Sequence, residues 1–138
     1  MKMASALTQS EQIRHARTCY DHMAGILGVA VTNALIDLGY VELKSKSIEP
    51  TKSGIAWFSV LDIDVAETRK LRRKFAYPCL DWSERRPHLA GSLGAKLCEA
   101  FFKQGLIKRR SGSRALILTK EGEAYLRKEL GIELEGKN

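Results

Sequence analysis

The sequence predicts an α+β chain, mainly helical, built from two copies of one small unit, and three observations carry that expectation. First, His22-Met23-Ala24-Gly25-Ile26-Leu27-Gly28 returns as His88-Leu89-Ala90-Gly91-Ser92-Leu93-Gly94, the pattern H-x-A-G-x-L-G displaced by 66 residues. Second, the match extends in both directions. Cys19-Tyr20-Asp21 corresponds to Cys79-Leu80-Asp81, Leu38-Gly39-Tyr40-Val41 to Gln104-Gly105-Leu106-Ile107, and Thr51-Lys52-Ser53-Gly54 to Thr119-Lys120-Glu121-Gly122. Third, 138 residues that are 44% hydrophobic and 28% charged, with 3 Pro, suit one folded body of ~100–150 residues and not a disordered tail.

Each element follows from local signals. Thr8-Gln9-Ser10-Glu11 has capping-box spacing, and Ile13, Ala16, Tyr20, Met23 and Leu27 follow at steps of three or four, which predicts an opening helix. Leu27, Val31, Leu35 and Leu38 then form one apolar helix face. Gly39 stands where a helix C-terminus commonly takes a left-handed residue, and Tyr40-Val41 begins an extended segment that turns at 44–47. A helix from about Lys52 toward Val60 closes the first copy. Asp64-Val65-Ala66-Glu67 caps a connecting helix whose basic stretch Arg69-Lys70-Leu71-Arg72-Arg73-Lys74 ends near Pro78.

In the second copy, Pro87 is tolerated in a first helical turn, and the spacing predicts one continuous helix from about Pro87 to Gln104 with Leu93, Leu97 and Phe101 on its apolar face. Past Gly105, the run 106–110, the turn Ser111-Gly112-Ser113 and the return 114–118 read as a hairpin. Thr119 is the N-cap of a last helix reaching about Leu130, with Glu121 favouring its dipole. The expected organisation is a first unit over 1–60, a basic connecting helix over 61–78 and a second unit over 79–138. Helix, two-stranded hairpin, helix is the order of the second half of a winged-helix module, so the expected architecture is a tandem pair of winged-helix-like repeats.

Charge narrows the partner. The formal net charge of +7 is uneven: residues 1–60 carry 6 basic and 5 acidic side chains, whereas the window 69–114 carries 13 basic and 3 acidic, net +10. A block of that sign favours a polyanion such as duplex DNA. No apolar run approaches the ~20 residues that span a bilayer, and the first seven residues are too short an apolar region for a secretory signal, so no membrane association and a cytoplasmic location are expected. No Ser/His/Asp order, Gly-rich phosphate loop or H-E-x-x-H occurs, and no enzyme activity is expected.

Arg17-Thr18-Cys19-Tyr20-Asp21-His22-Met23-Ala24-Gly25, with Cys79-Leu80-Asp81-Trp82-Ser83-Glu84-Arg85-Arg86-Pro87-His88-Leu89-Ala90-Gly91, resembles the C-terminal half of longer ArsR-like helix-turn-helix regulators over roughly residues 11–130. The resemblance implies bacterial transcription regulation, in a group whose typical DNA-binding winged helix precedes these motifs. Two functions are therefore expected in turn. In the first, a homodimer binds duplex DNA through the second repeat, with Arg85, Arg86, Lys96 and Lys103 at the groove and the wing residues Arg109, Arg110 and Arg114 on phosphate. In the second, the chain is an effector-sensing or dimerisation module for a DNA reader carried elsewhere, with an apolar pocket near Tyr20, Trp57 and Trp82.

Cys19 and Cys79 hold equivalent positions, as do His22 and His88, and thiolate with imidazole suits zinc, copper or haem iron should the copies pair. No C-x-x-C pair is present and buried cysteine is commonly a small hydrophobe, so the expectation is no cofactor, with these four residues as the metal candidates. Cys98 reads as packing, and 3 cysteines without a signal argue for reduced thiols. Asp21, Asp81 and Glu84 read as helix caps or arginine partners, and Trp82 as an anchor between the repeats.

Overall fold

The structure, a computed structural model, describes residues 7–136; residues 1–6 of the first expected unit and 137–138 of the last lie outside the described residues. Helix α1 (Gln9–His15) opens under a complete capping box: the Thr8 hydroxyl accepts from the Glu11 amide, and the Glu11 carboxylate accepts from the Thr8 amide. The helix expected to run on to Leu27 stops there. Strands β1 (Arg17–Cys19) and β2 (His22–Ala24) form an antiparallel hairpin around Tyr20-Asp21, with Tyr20 in the left-handed region at φ 58. The cause is not local. The Ala16 carbonyl accepts from Leu116 N at 2.9 Å, and Thr18 N donates to the Arg114 carbonyl at 3.0 Å, so pairing with the far end of the chain overrides a helical spacing of apolar residues.

Helix α2 (Gly25–Asp37) follows directly. Its first residue sits at φ +75, and a Cβ there would strike the carbonyls of Ile13 and Arg14, so glycine lets α2 start against the end of α1. Strands β3 (Val41–Leu43) and β4 (Ile48–Pro50) then pair, and α3 (Lys52–Val60) starts under Thr51, whose hydroxyl accepts from Gly54 N. Helix α4 (Val65–Arg69) is only one turn longer than its cap, and the connecting helix expected over the basic stretch does not form. Arg69, Lys70, Arg72, Arg73 and Lys74 would stack like charges three and four residues apart. Instead Arg69 reaches Glu49 at 2.7 Å, Lys70 reaches Glu67 at 3.0 Å, and Arg73 pairs with Asp21.

In the second half, the continuous helix expected from Pro87 is split. Residues Pro87–Ala90 are strand β6, paired with β5 (Tyr77–Leu80), and α5 (Gly91–Lys103) starts only at Gly91. Gly91 has φ +82, and a Cβ on it would meet the Lys74 and Phe75 carbonyls, so the chain turns a corner that no helix interior permits. Strands β7 (Ile107–Arg109) and β8 (Leu116–Leu118) form the expected hairpin, and α6 (Lys120–Leu130) starts under Thr119 as expected and ends at the left-handed Gly131.

Among the described residues the order hairpin, helix, hairpin, helix thus occurs twice, in four two-stranded sheets. The two halves are bonded crosswise. Just as Leu116 N donates to Ala16 O, Ile48 N donates to Ala76 O at 3.2 Å, so the second hairpin of each half leans on the strand that opens the other half. The helices cross in the same way. A Cβ on Gly28 of α2 would lie 3.5 Å from the His88 Cβ, and one on Gly94 of α5 would lie 3.3 Å from the His22 Cβ. Thr32 of α2 completes the contact by accepting from Leu89 N at 2.8 Å. One apolar core results, in which Leu27, Val31 and Leu35 of α2 are buried with Leu93, Leu97 and Phe101 of α5, Phe58 of α3 and Leu126 of α6. Among the described residues, no helix is long and apolar enough to cross a membrane.

Candidate metal centre and basic surface

The crosswise packing brings the two opening hairpins together. Within each, a cysteine and a histidine are direct cross-strand partners, Cys19 opposite His22 and Cys79 opposite His88, so each hairpin presents one thiol and one imidazole side by side. At the seam, His22 Nε2 and His88 Nε2 lie 3.1 Å apart, with ring centroids at 4.9 Å and the planes tilted by 42°. The two Sγ atoms and one nitrogen of each ring all lie within 4.8 Å of one another. Both histidines are buried, and both cysteines are free and half-buried. Cys19 and His22 meet because the segment expected to be helical is a hairpin.

Asp81 organises the surroundings. Its side chain is fully buried, Oδ1 accepting from Gly25 N at 2.7 Å, Arg17 Nη2 at 2.9 Å and His88 Nδ1 at 3.1 Å. Oδ2 accepts from the Ser83 amide and hydroxyl and from Glu84 N. Burial by itself raises this carboxyl, but the Gly25 and Glu84 amides, the Ser83 hydroxyl and Arg17 outweigh it and hold it at about 2. Arg17 is also fully buried, donates to Ile13 O at 2.9 Å and lies 4.3 Å from the centre of the Trp82 ring. Trp82, expected as an anchor, is largely exposed and covers this ion pair from outside. The C-x-D motif is therefore an arginine partner, as expected of it, and also caps the helix of the other repeat.

Burial, with His22 adding to it, pushes His88 down to about 4, so the ring is neutral at pH 7. Its Nδ1 faces an ionised carboxylate and carries the proton, which leaves the Nε2 lone pair aimed at His22. Burial lowers His22 as well, against the pull of Asp21. His22 Nδ1 is buried 3.6 Å from Asp21 and makes no hydrogen bond among the described residues. The Cys79 thiol is raised by burial and by the neighbouring Cys19, and burial raises Cys98 to about 12, consistent with a packing residue in α5. Two soft sulfurs and two neutral imidazoles, with a carboxylate behind each ring, are side chains of the kind that could hold a tetrahedrally coordinated metal ion.

Of the cationic residues expected to meet DNA, only Lys96 and Lys103 lie on α5. Arg85 and Arg86 are exposed in the β5–β6 connection, away from the helix expected to carry them. Gly91 to Gly94, Leu97, Cys98, Ala100 and Phe101 of α5 are buried, and Lys96 is half-buried. Lys96 and exposed Lys103 line a shallow cavity of about 300 Å³ together with Asp62 and Glu99, which offset their charge. Arg109 and Arg114 are exposed on the β7–β8 hairpin and Arg110 is half-buried there; the Arg109 guanidinium lies 4.5 Å from the Phe102 ring centre. The apolar pocket expected near Tyr20, Trp82 and Trp57 does not bring those rings together: Trp57 stacks on Tyr40 at 5.4 Å, while Tyr20 and Trp82 face solvent.

The chain is 36% identical over 126 residues to a Bacillus subtilis (strain 168) protein named "Uncharacterized HTH-type transcriptional regulator YdfF", a match covering 91% of this chain and 56% of the relative. The chain is similar to a transcriptional regulator. It spans a little over half of that relative's length. No family model matches the chain, and no solved structure matches it.

Proposed function

We propose that this chain acts, without enzymatic activity, as the effector-responsive module of an HTH-type transcriptional regulator, built as a tandem pair of winged-helix-like repeats and working as a homodimer. The observation that carries the reading is the burial of α5. A groove-reading helix presents a broad exposed face to base edges, whereas α5 packs its glycines, Leu93, Leu97 and Phe101 inward and leaves only Glu99 and Lys103 fully exposed. Its N-terminal turn, the part that usually contacts bases, lies against the other repeat's hairpin. The seam where four donor side chains meet is the position from which a ligand bound by both repeats changes their mutual packing.

A second reading, direct contact with duplex DNA through Arg109, Arg110 and Arg114 with Arg85 and Arg86, is favoured by the exposure of Arg85, Arg86, Arg109 and Arg114. Titration of the chain with duplex DNA at two salt concentrations separates the two. The module reading expects weak binding without sequence preference that collapses between about 50 and 200 mM salt. A defined footprint by this chain alone, lost on Arg109→Ala or Arg114→Ala, would overturn it.

A further inference from the structure

We propose that Cys19, His22, Cys79 and His88 form a tetrahedral binding site for a zinc-class divalent cation, with two ligands from each repeat, so that the ion staples the seam between them. The inference rests on the reading of the seam as the effector-responsive site and names the chemistry of what binds there.

Geometry, tautomers and charge agree. Zinc bonds of 2.0–2.1 Å to nitrogen and 2.3 Å to sulfur place tetrahedral ligand atoms about 3.4 to 3.8 Å apart. The histidine nitrogens are already at 3.1 Å and all four donor atoms within 4.8 Å, so the site closes with shifts of about 1 Å or less. Without an ion, only one proton can lie between the two Nε2 atoms. Because His88 keeps its proton on Nδ1 for Asp81, His22 must supply that proton from Nε2. Its buried Nδ1 lone pair is then left facing the Asp21 carboxylate at 3.6 Å without a partner. A cation between the two Nε2 atoms removes the conflict. His22 then carries its proton on Nδ1 toward Asp21, as His88 does toward Asp81, and both rings become carboxylate-backed ligands.

Binding of a divalent ion displaces one proton from each thiol, giving two thiolates, two neutral imidazoles and two protons released to solvent. Two thiolates cancel the ion's charge, and the carboxylates behind the rings are already paired with Arg17 and Arg73, so no uncompensated charge is left in the seam. Sulfur with imidazole in tetrahedral array selects zinc over the hard cations calcium and magnesium. The half-buried thiols supply the way in, beside their exposed chain neighbours Tyr20 and Leu80.

The test is titration of the reduced, chelator-treated full chain with Co²⁺, then Zn²⁺. Expected are one equivalent of tetrahedral, thiolate-ligated Co²⁺ by absorption, its displacement by Zn²⁺, and release of two protons. Cys19→Ser and Cys79→Ser should each weaken Co²⁺ binding by about 100-fold or more while Cys98→Ala binds as the parent does, since loss of even an outer-shell partner costs about 10–100-fold. Alkylation tests the parent chain without any substitution: zinc should protect Cys19 and Cys79 from modification. A folded, reduced chain with no thiolate–Co²⁺ spectrum, or thiols alkylated equally fast with zinc, overturns the proposal. So does conversion of Cys19 and Cys79 to a disulfide, seen as the loss of two hydrogens in mass, under conditions in which the reduced chain takes up no Co²⁺. Failure of the regulatory reading is a separate result, sequence-selective DNA binding by this chain alone, and neither failure implies the other.

Discussion

Asp21 and Asp81 stand at matching places in two matching hairpins, two residues after a cysteine and between the two strands, yet their surroundings differ. Asp21 is about one-third exposed and pairs with Arg73 across the surface. Asp81 is fully buried, holds the fully buried Arg17, caps α2 and orients His88. The difference begins in the connection that follows. Between Asp21 and His22 there is no intervening residue, whereas Trp82 to Pro87 separate Asp81 from His88 and fold back to give it the Ser83 and Glu84 amides. A repeated motif fixes where a carboxylate lies along a strand, but the length of the adjoining loop decides whether it becomes an exposed partner or a buried hub.

Substitution of the two carboxylates should break this comparison most sharply. Asp81→Ala leaves Arg17 as an uncompensated buried cation and is expected to cost about 3–5 kcal/mol in urea unfolding. Asp21→Ala removes only a surface pair and should cost less than about 1 kcal/mol. Equal losses would show that the two hairpins share their load.

Acid should reach the second hairpin in two steps when the chain is metal-free. His88 is held down at about 4 against an unfolded value of about 6.5, so from pH 6.5 to 4 the unfolded chain takes up a proton that the folded chain refuses, and stability falls. Asp81, at about 2 against about 3.9 unfolded, adds a second fall from pH 4 to 2. Each step corresponds to about 3 kcal/mol, read from urea midpoints across pH. A flat profile between pH 6.5 and 4 would contradict the neutral assignment of His88.

Where the halves are alike, their responses should match. A Cβ on Gly28 would drive into the Met23 carbonyl and one on Gly94 into the Leu89 carbonyl, so Gly28→Ala and Gly94→Ala should each cost about 1–3 kcal/mol. A loss confined to one of them would sharpen the comparison by placing the tighter helix contact on that side. The smallest effect belongs to the surface: Arg114→Ala should change stability by less than about 0.5 kcal/mol and reduce the salt slope of any DNA binding by about one.

Much of the architecture is legible in sequence because its causes are local. Thr51 and Thr119 cap their helices as their spacing indicates, Gly39 and Gly105 end theirs at positive φ, and the β7–β8 turn lies at Ser111-Gly112-Ser113. The opening hairpins were hidden because each strand has only three or four residues, and Ile13, Ala16, Tyr20, Met23 and Leu27 mimic a helix face by coincidence. What holds β1 extended is the segment Arg114 to Leu116, about a hundred residues away, and no local pattern reports that. Tyr20, read as a helix-face residue, is 86% exposed at the hairpin turn. For the same reason the four ligands were visible as equivalent positions but not as a cluster, because their convergence depends on the crosswise packing of α2 and α5. Arg17 carries no local signal of burial at all; the charge that balances it is Asp81, in the other repeat.

The central claim, that a cation joins the two repeats at one seam, is tested most directly by urea unfolding followed at Trp57 of the first repeat and Trp82 of the second, with and without one equivalent of zinc. A ligand that binds only the folded seam stabilises the whole cooperative unit by mass action, so both transitions should coincide and move together to higher urea. Transitions that stay where they were, or a shift seen at Trp82 alone, would contradict it.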